Sequence, residues 1–410
     1  MKIQQRHIDQ VRKQFAVMQS KEDLVQLLSD AKKMLYDNKK CKPVKLKSLT
    51  YYANPKLSKK RYNTFNIKKK SGGDRTIHAP VDGLKSILRA LNFILQCIYE
   101  PHIAATGFVL DRSILDNAKK HVGHRYILNI DLQDFFHSFD RNRVKLGFMY
   151  KPFNLRGDRE PLAFLLASLS THSFEIDGAM KMVLPQGSPT SPTITNILCK
   201  KLDDRLTGLS NRFGLTYSRY ADDITFSSQH NVYNDEAFKN ELQRIIVEDQ
   251  KLVINPKKTR LQKYGYRQEV TGLVVNEKVN VRRRYVKKIR MWLYYWEKYG
   301  YEKAEIIFHK HYASDRGYIK EGLPNLVNVL AGKLEFLRMV KGAEDGTYRG
   351  LKGRFEAVIG HHDPINVILE AWQKEGIEKA MELAAKHGPK IKDVDELKNN
   401  KPKHKTVFTL

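Results

Sequence analysis

An α+β fold is predicted by three features of this 410-residue sequence: strand-like runs interspersed with helical ones, a helical pattern from Arg283 onward, and an ordinary globular composition. Hydrophobic residues make up 41% and charged residues 29%, which excludes wholesale disorder and collagen-like or repeat-driven architectures. At about 150 residues per domain, the length predicts two or three compact units.

Each element has its own signal. Ile8, Val11, Phe15 and Met18 recur at helical spacing, and Ser20 with Asp23 forms a capping signal ahead of Leu24, Leu27, Leu28, Ala31 and Leu35, so two N-terminal helices are predicted. Tyr62 to Lys69 alternates in strand fashion, Ser71-Gly72-Gly73-Asp74 is a turn, and Arg75 to Pro80 resumes the alternation, giving a β-hairpin. A helix from Leu84 to Tyr99 ends before Pro101. Tyr126 to Phe136 reads as a buried strand with an acid, Asp131, in its interior. The same conflict recurs from Tyr217 to Ser227, where β-rich residues flank Tyr220-Ala221-Asp222-Asp223. Function concentrates where local rules are broken in this way. Val270 to Val281 reads as a further strand pair around Asn276-Glu277.

Charge is the compositional outlier. Lys and Arg number 73 against 45 Asp and Glu, a formal net charge of +28, which favours a polyanionic partner, with nucleic acid ahead of an anionic membrane. The most apolar stretch, Pro161 to Leu169, falls short of the roughly 18 apolar residues that a spanning helix needs, so no membrane partner is expected. Met1 to Phe15 lacks the apolar core of a signal peptide, which predicts a cytoplasmic protein. Cys41, Cys97 and Cys199 are odd in number and widely spaced; reduced, mostly buried thiols are expected rather than disulfides or a zinc knuckle. From Lys32 to Lys70, fourteen Lys and Arg stand against one acid, Asp37, with Tyr51, Tyr52, Tyr62 and Phe65 interleaved. That mixture suits a surface that tracks a nucleic-acid backbone and stacks on bases.

Asp131, Asp222 and Asp223 are the candidate catalytic residues. An acid ending a strand can be a helix cap, and Asp-Asp at a hairpin tip can be turn chemistry. A trio of this kind also serves phosphoryl transfer, where two divalent cations about 3.5–4 Å apart activate the attacking hydroxyl and stabilise the leaving oxygen. Oxygen ligands point to Mg²⁺.

Here the residues carry a family resemblance. Tyr220-Ala221-Asp222-Asp223 resembles the active-site tetrad of reverse transcriptases, and Ile130-Asp131-Leu132-Gln133-Asp134-Phe135-Phe136 is similar to the strand bearing their other metal-binding Asp. Leu184-Pro185-Gln186-Gly187-Ser188-Pro189-Thr190-Ser191-Pro192 resembles the loop placed between the two. Asn117-Ala118-Lys119-Lys120-His121 and Val270-Thr271-Gly272 resemble motifs of bacterial retron reverse transcriptases and related defence-associated enzymes. No Cys-rich endonuclease segment follows, which disfavours a mobile group II intron protein.

The resemblance implies a right-hand polymerase: a basic helical extension over 1–56, fingers over 57–125 with a contribution from 141–183, a palm with an antiparallel sheet over 126–265, a primer grip and helical thumb over 266–345, and a C-terminal helical extension with a basic tail over 346–410. It implies two Mg²⁺ ions held by Asp131, Asp222 and Asp223. It further implies that Arg75 grips the incoming triphosphate, with Lys68 or Lys69 assisting, that Phe136 packs on the nucleotide sugar and excludes a 2′-hydroxyl, that Gln186 lines the nucleotide pocket, and that Lys258, in Leu252-Val253-Ile254-Asn255-Pro256-Lys257-Lys258-Thr259, approaches the leaving pyrophosphate. Tyr220, Gly272, Arg283 and Lys287 would lie along the template-primer. The implied partners are a structured non-coding RNA as template, dNTPs and the DNA product, with an effector protein or a second copy of the chain as further candidates, in a bacterial antiviral defence system.

Two other readings fit parts of the pattern. A non-catalytic RNA-binding scaffold with a polymerase-like palm would share the charge, yet has no use for three acids together with Arg75, Gln186 and Phe136. A palm-fold nucleotide cyclase gives no reason for the fingers hairpin or helical end. Among the aromatics Trp292, Tyr295, Trp296 and Tyr299, the stripe reads as core, with the basic face outward. His361-His362-Asp363, between Gly360 and Pro364, reads as a loop, and Val367 to Ala384 as helical before a Lys-rich tail from Lys386 to Lys405.

Overall fold

The apolar phases found in the sequence become the buried faces of two separate units, Met1–Arg282 and Arg283–Leu410. This computed structural model describes residues 4–36, 41–68, 73–316 and 322–360, together with Met381. Lys69, the Ser71-Gly72 turn residues, His361-His362-Asp363, the 367–384 pattern apart from Met381, and the Lys-rich tail lie outside the described residues.

In the first unit, Val11 and Phe15 are buried on α1 (Gln5–Val17), and Leu24, Leu27, Leu28 and Ala31 on α2 (Lys21–Tyr36). Asp23 accepts from the N–H groups of Gln19 and Ser20 at 2.9 Å while its own N–H donates to Ser20 Oγ at 3.1 Å, the reciprocal cap that the sequence signals. After α3 (Leu46–Ala53), β1 (Tyr62–Lys68) and β2 (Asp74–Pro80) form the expected antiparallel hairpin. The α4 helix (Asp82–Ile98) packs against α1 and α2, and a short α5 (Ile114–Lys119) leads to β3 (Tyr126–Gln133). There follow α6 (Arg141–Met149), α7 (Glu160–Ser170), the hairpin β4 (His172–Ile176) and β5 (Ala179–Val183), α8 (Ser191–Leu198) and α9 (Lys200–Phe213). The chain closes with β6 (Thr216–Tyr220), β7 (Asp223–Ser228), α10 (Glu236–Gln243), β8 (Val253–Ile254), β9 (Arg260–Lys263), β10 (Glu269–Val270) and β11 (Leu273–Val274).

The central sheet runs β6-β7-β3-β8, with β9 also paired to β3, and every pairing is antiparallel. Ile130 and Leu132 of β3 and Ile224 and Phe226 of β7 share one core cluster with Ile194 of α8 and Leu202 and Leu206 of α9. The α+β expectation is met.

Two expected boundaries move. The strand predicted to reach Phe136 stops at Gln133, because Asp134 turns left-handed at φ 45° and starts a single 3₁₀ turn, Phe135–Ser138. That turn sends Phe135 into the core, edge-on to Phe139 at 5.3 Å. The strand pair expected around Asn276-Glu277 turns instead at Thr271-Gly272, where φ values of 48° and 82° make a two-residue hairpin between β10 and β11. Asn276-Glu277 lies within the loop closed by a bridge between Val274 and Asn280.

The second unit is helical, with α11 (Arg283–Tyr299), α12 (Tyr301–Arg316), α13 (Leu326–Lys341) and α14 (Gly346–Gly360). Trp292 and Trp296 are core: Trp292 meets Phe308 edge-on at 4.9 Å, and Trp296 meets Tyr301 at 5.0 Å. Arg283 and Lys287 occupy the exposed side of α11. Cys97 and Cys199 are buried, Cys41 is partly exposed, and all three are unpaired. Among the described residues no helix is long and apolar enough to cross a membrane.

Asn117, Ala118 and His121 of the predicted motif are buried, while Lys119 is exposed. α5 packs against β6 on one side and against β10 and β11 on the other, so the two short retron-like motifs meet. His121 is fully buried, its ring nitrogens 2.7 Å from Ser218 Oγ of β6 and Ser227 Oγ of β7. Burial holds its pKa down to about 3, from 6.5. The unfolded chain therefore takes up a proton near pH 6.5 that the folded chain refuses until about pH 3, and stability is lost as pH falls through that window. Between pH 6 and 5, the parent is expected to lose about 1.2 kcal/mol more than His121→Gln in denaturant titrations. Parallel pH profiles for the two proteins would contradict this.

Candidate active site

Strand register brings the three acids together. Asp131, near the end of β3, stands opposite Asp223 at the start of β7. Facing residues of an antiparallel pair place their Cβ atoms about 4.5–5.5 Å apart on one side of the sheet. The β6–β7 turn consists of Ala221-Asp222, closed by the pairing of Tyr220 with Asp223, and the Asp222 carbonyl accepts from the Leu132 N–H at 3.0 Å. Burial pushes Asp223 up to about 7, with the charges of Asp222 and Asp131 adding to it and Arg260 and Lys258 opposing. Asp222 is also raised, chiefly by burial and further by Asp131, against the pull of Lys258 and Arg75. Like charges held this close call for a cation.

Lys258 supplies one positive charge, its ammonium lying 3.0 Å from each oxygen of Asp131. The β8 pairing fixes this neighbourhood: the Asn255 N–H donates to the Asp131 carbonyl at 2.8 Å, and Asn255 Nδ2 to Asp131 Oδ2 at 3.2 Å. Hard carboxylate oxygens in mutual repulsion fit divalent Mg²⁺-like ions in donor chemistry. Among the described residues, no three His, Cys, Asp or Glu side chains are arranged as a finished metal cage.

The β1–β2 hairpin is docked beside this centre through backbone. His78 of β2 donates its N–H to the Gln186 carbonyl at 2.8 Å. Gly187 has φ +117°, and a Cβ there would lie 2.8 Å from the His78 carbonyl oxygen, so glycine alone permits the approach. Arg75, three residues before His78, is exposed, and its charge is felt at Asp222. Phe136 is half-buried on the 3₁₀ turn after β3, its ring 6.1 Å from that of Phe108. Tyr220 ends β6, and Gly272 sits in the β10–β11 turn. Of the predicted site residues, the structure gathers Asp131, Asp222, Asp223, Lys258 and Arg75 into one electrostatic neighbourhood, with Gln186 joined to it through the hairpin. Arg283 and Lys287 belong to the second unit, and Lys69 lies outside the described residues.

Behind the hairpin lies machinery that the motifs did not announce. Arg219 is fully buried, forked onto Asp203 of α9 through Nε at 2.7 Å and Nη2 at 2.6 Å. Asp203 also accepts from the Tyr217 hydroxyl at 2.7 Å. Arg219 Nη1 donates to Asn196 Oδ1 and to the Ala221 carbonyl, both at 3.1 Å, and Asn196 Nδ2 donates to the Gly107 carbonyl at 2.9 Å. A Cβ on Gly107 would lie 2.4 Å from Ala221 N. A signal was available in the sequence: Asp203 shares the buried phase of α9 with Leu202, Leu206 and Leu209, and Arg219 lies inside a β-rich run, opposite charges at two core positions.

Comparison with known proteins agrees with this geometry. A family profile described as reverse transcriptase (RNA-dependent DNA polymerase) matches residues 67–275. The retron Mx65 reverse transcriptase of Myxococcus xanthus is 36% identical over 259 residues, covering 58% of this chain and 57% of that protein. The retron Mx162 reverse transcriptase of the same organism is 41% identical over 236 residues, covering 52% and 47% respectively. The retron Ec86 reverse transcriptase of Escherichia coli is 35% identical over 236 residues, covering 56% and 68%. The matches thus span about half to two thirds of these relatives' lengths.

Gly107→Ala is expected to destabilise the protein by about 1–3 kcal/mol in denaturant titration, because backbone rather than a flexible side chain blocks the added carbon. Gly208→Ala, on the exposed side of α9 with nothing within 4 Å, should stabilise it by about 0.5–1 kcal/mol. Equal effects at the two glycines would contradict the close approach to the Ala221-Asp222 turn.

Proposed function

The chain belongs to the reverse transcriptase family, and from that premise we propose that it is a bacterial RNA-directed DNA polymerase of retron type that copies an associated structured non-coding RNA into DNA. The observation that carries the reading is the register pairing of Asp131 with Asp223, with Asp222 in the adjoining turn and Lys258 and Arg75 supplying positive charge around them. The likeness to retron reverse transcriptases supports the retron assignment, a cytoplasmic setting and a role in antiviral defence.

Asp131, Asp222 and Asp223 would hold two Mg²⁺ ions. Bound divalent cations supply activation of the primer 3′-hydroxyl and stabilisation of the departing pyrophosphate oxygen. The chain's own side chains do the rest. Arg75, on the exposed strand of the fingers hairpin, offers a planar fork for phosphate oxygens, a bidentate task for which Lys is a poor substitute. Lys258 bridges Asp131 in the nucleotide-free state, and its ammonium can turn to the leaving pyrophosphate and donate a proton there. Phe136 would pack against the nucleotide sugar and exclude a 2′-hydroxyl by volume. Gln186 lines the pocket, and its carbonyl keeps the hairpin that carries Arg75 in place. Tyr220 supports the catalytic turn and primer end, while Gly272, Arg283 and Lys287 follow the template-primer backbone, which is read by shape and charge rather than sequence. In this reading the fingers occupy 57–125, the palm 126–265, and the primer grip and thumb 266–345.

The test is Asp222→Asn with Asp223→Asn in protein purified with its bound RNA and supplied with Mg²⁺ and labelled dNTPs. DNA synthesis is expected to vanish while salt-dependent RNA binding persists, because the basic surface is untouched. Synthesis by the double variant would overturn the site assignment, and RNA binding without synthesis in the parent would favour a scaffold. Lys258→Ala is expected to slow single-turnover incorporation by about 10²–10⁴-fold, the contribution of a positioned general acid. A rate unchanged from the parent would remove Lys258 from the chemistry.

A further inference from the structure

We infer that Arg219, held by Asp203 and Asn196, is the positioning residue of the catalytic turn, setting the backbone conformation from which Asp222 and Asp223 project. The inference rests on the polymerase reading of the three acids and adds a residue set that touches neither metal nor substrate.

Ala221, the residue before the two acids, sits at φ 57°, a left-handed conformation that a residue with a Cβ adopts only when its surroundings impose it. Two contacts impose it here. From one side the backbone of Gly107 approaches Ala221 N so closely that no Cβ fits between them. From the other, Arg219 Nη1 donates to the Ala221 carbonyl at 3.1 Å. That guanidinium cannot swing away, since Nε and Nη2 are forked onto both oxygens of Asp203, and Asn196 Oδ1 takes a second bond from Nη1. The Arg219 backbone is fixed as well: its N–H donates to the Ala104 carbonyl at 2.9 Å and its carbonyl accepts from the Thr106 N–H at 2.8 Å. Asn196 closes the circuit through the Gly107 carbonyl at 2.9 Å. The turn is therefore gripped on both faces by groups tied to one another.

A pair that served stability alone would not need the third arm. The fork onto Asp203 already satisfies both charges, and the bond to the Ala221 carbonyl reaches two residues along the chain to the one peptide whose orientation aims the carboxylates. Outer groups that orient ligands in this manner are worth about 10–100-fold in metal affinity or activity.

Two variants test the inference. Arg219→Lys keeps a positive charge opposite Asp203 but lacks the planar fork that reaches both the carboxylate and the Ala221 carbonyl. Asp203→Leu with Arg219→Met removes both charges together, so that neither is left buried and unpaired. Each is compared with the parent by thermal melting, by Mn²⁺ affinity from electron paramagnetic resonance without nucleotide or template, and by single-turnover DNA synthesis. The expected result is a folded variant whose Mn²⁺ affinity and synthesis rate both fall by about 10–100-fold. A folded variant that binds Mn²⁺ as tightly as the parent would overturn the inference, and failure of both variants to fold would overturn it too by assigning the pair to the fold alone. If the parent binds Mn²⁺ but makes no DNA, the polymerase reading fails while the Mn²⁺ comparison still decides the role of Arg219.

Discussion

Everything else in the first unit is arranged around a repulsion: Asp131 and Asp223 face each other across an antiparallel pair, with Asp222 one residue away. A sheet does not place like charges opposite one another without compensation, since such pairs destabilise it. The compensation is visible on every side. Lys258 lies on both oxygens of Asp131, Arg260 and Lys258 pull against the raised Asp223, and Arg75 acts on Asp222 from the β1–β2 hairpin. Asp222 and Asp223 stay raised all the same, by burial first and by neighbouring acids second, and a bound divalent cation would relieve both in the proposed reaction.

Holding such a centre requires a rigid back wall. The wall is polar, with the Asp203–Arg219 pair, Asn196, and His121 between Ser218 and Ser227, and each of these side chains is buried. Breaking a buried pair by removing one partner typically costs about 3–5 kcal/mol, which makes the network an all-or-none support. Glycine does the corresponding work where backbones meet, Gly107 against the Ala221-Asp222 turn and Gly187 against β2. Both contacts bring separate chain segments to the centre without any side chain between them.

How much of this the sequence reveals depends on whether a feature is local. The hairpins, the N-terminal cap and the acids are legible because each is written within a few residues: alternation for β1 and β2, the Ser20/Asp23 reciprocity for α2, and the break of an apolar run by Asp131. The register that sets Asp131 against Asp223 rather than against a neighbour is not local, and only pairing of distant strands fixes it. The early end of β3 is hidden in the sequence, because Phe135 continues the apolar run in composition while the left-handed Asp134 redirects it. Both Thr271-Gly272 and Asn276-Glu277 carry turn chemistry, and the structure makes the first a two-residue hairpin and the second part of a wider loop closed by the Val274–Asn280 bridge. Asp203 and Arg219 carry no local signature, because each looks misplaced alone and is satisfied by partners elsewhere in the chain, chiefly the other.

The most direct test of the account is a titration of the Asp223 carboxyl by carbon NMR, with and without Mg²⁺. The account predicts protonation near pH 7 in the metal-free protein, well above the ordinary aspartate value of 3.8, and an ionised carboxylate down to acidic pH once Mg²⁺ is present. Titration near 3.8 in both conditions would contradict it, because neither burial nor the facing acids would then disfavour the charged carboxylate, and no cation would be called for.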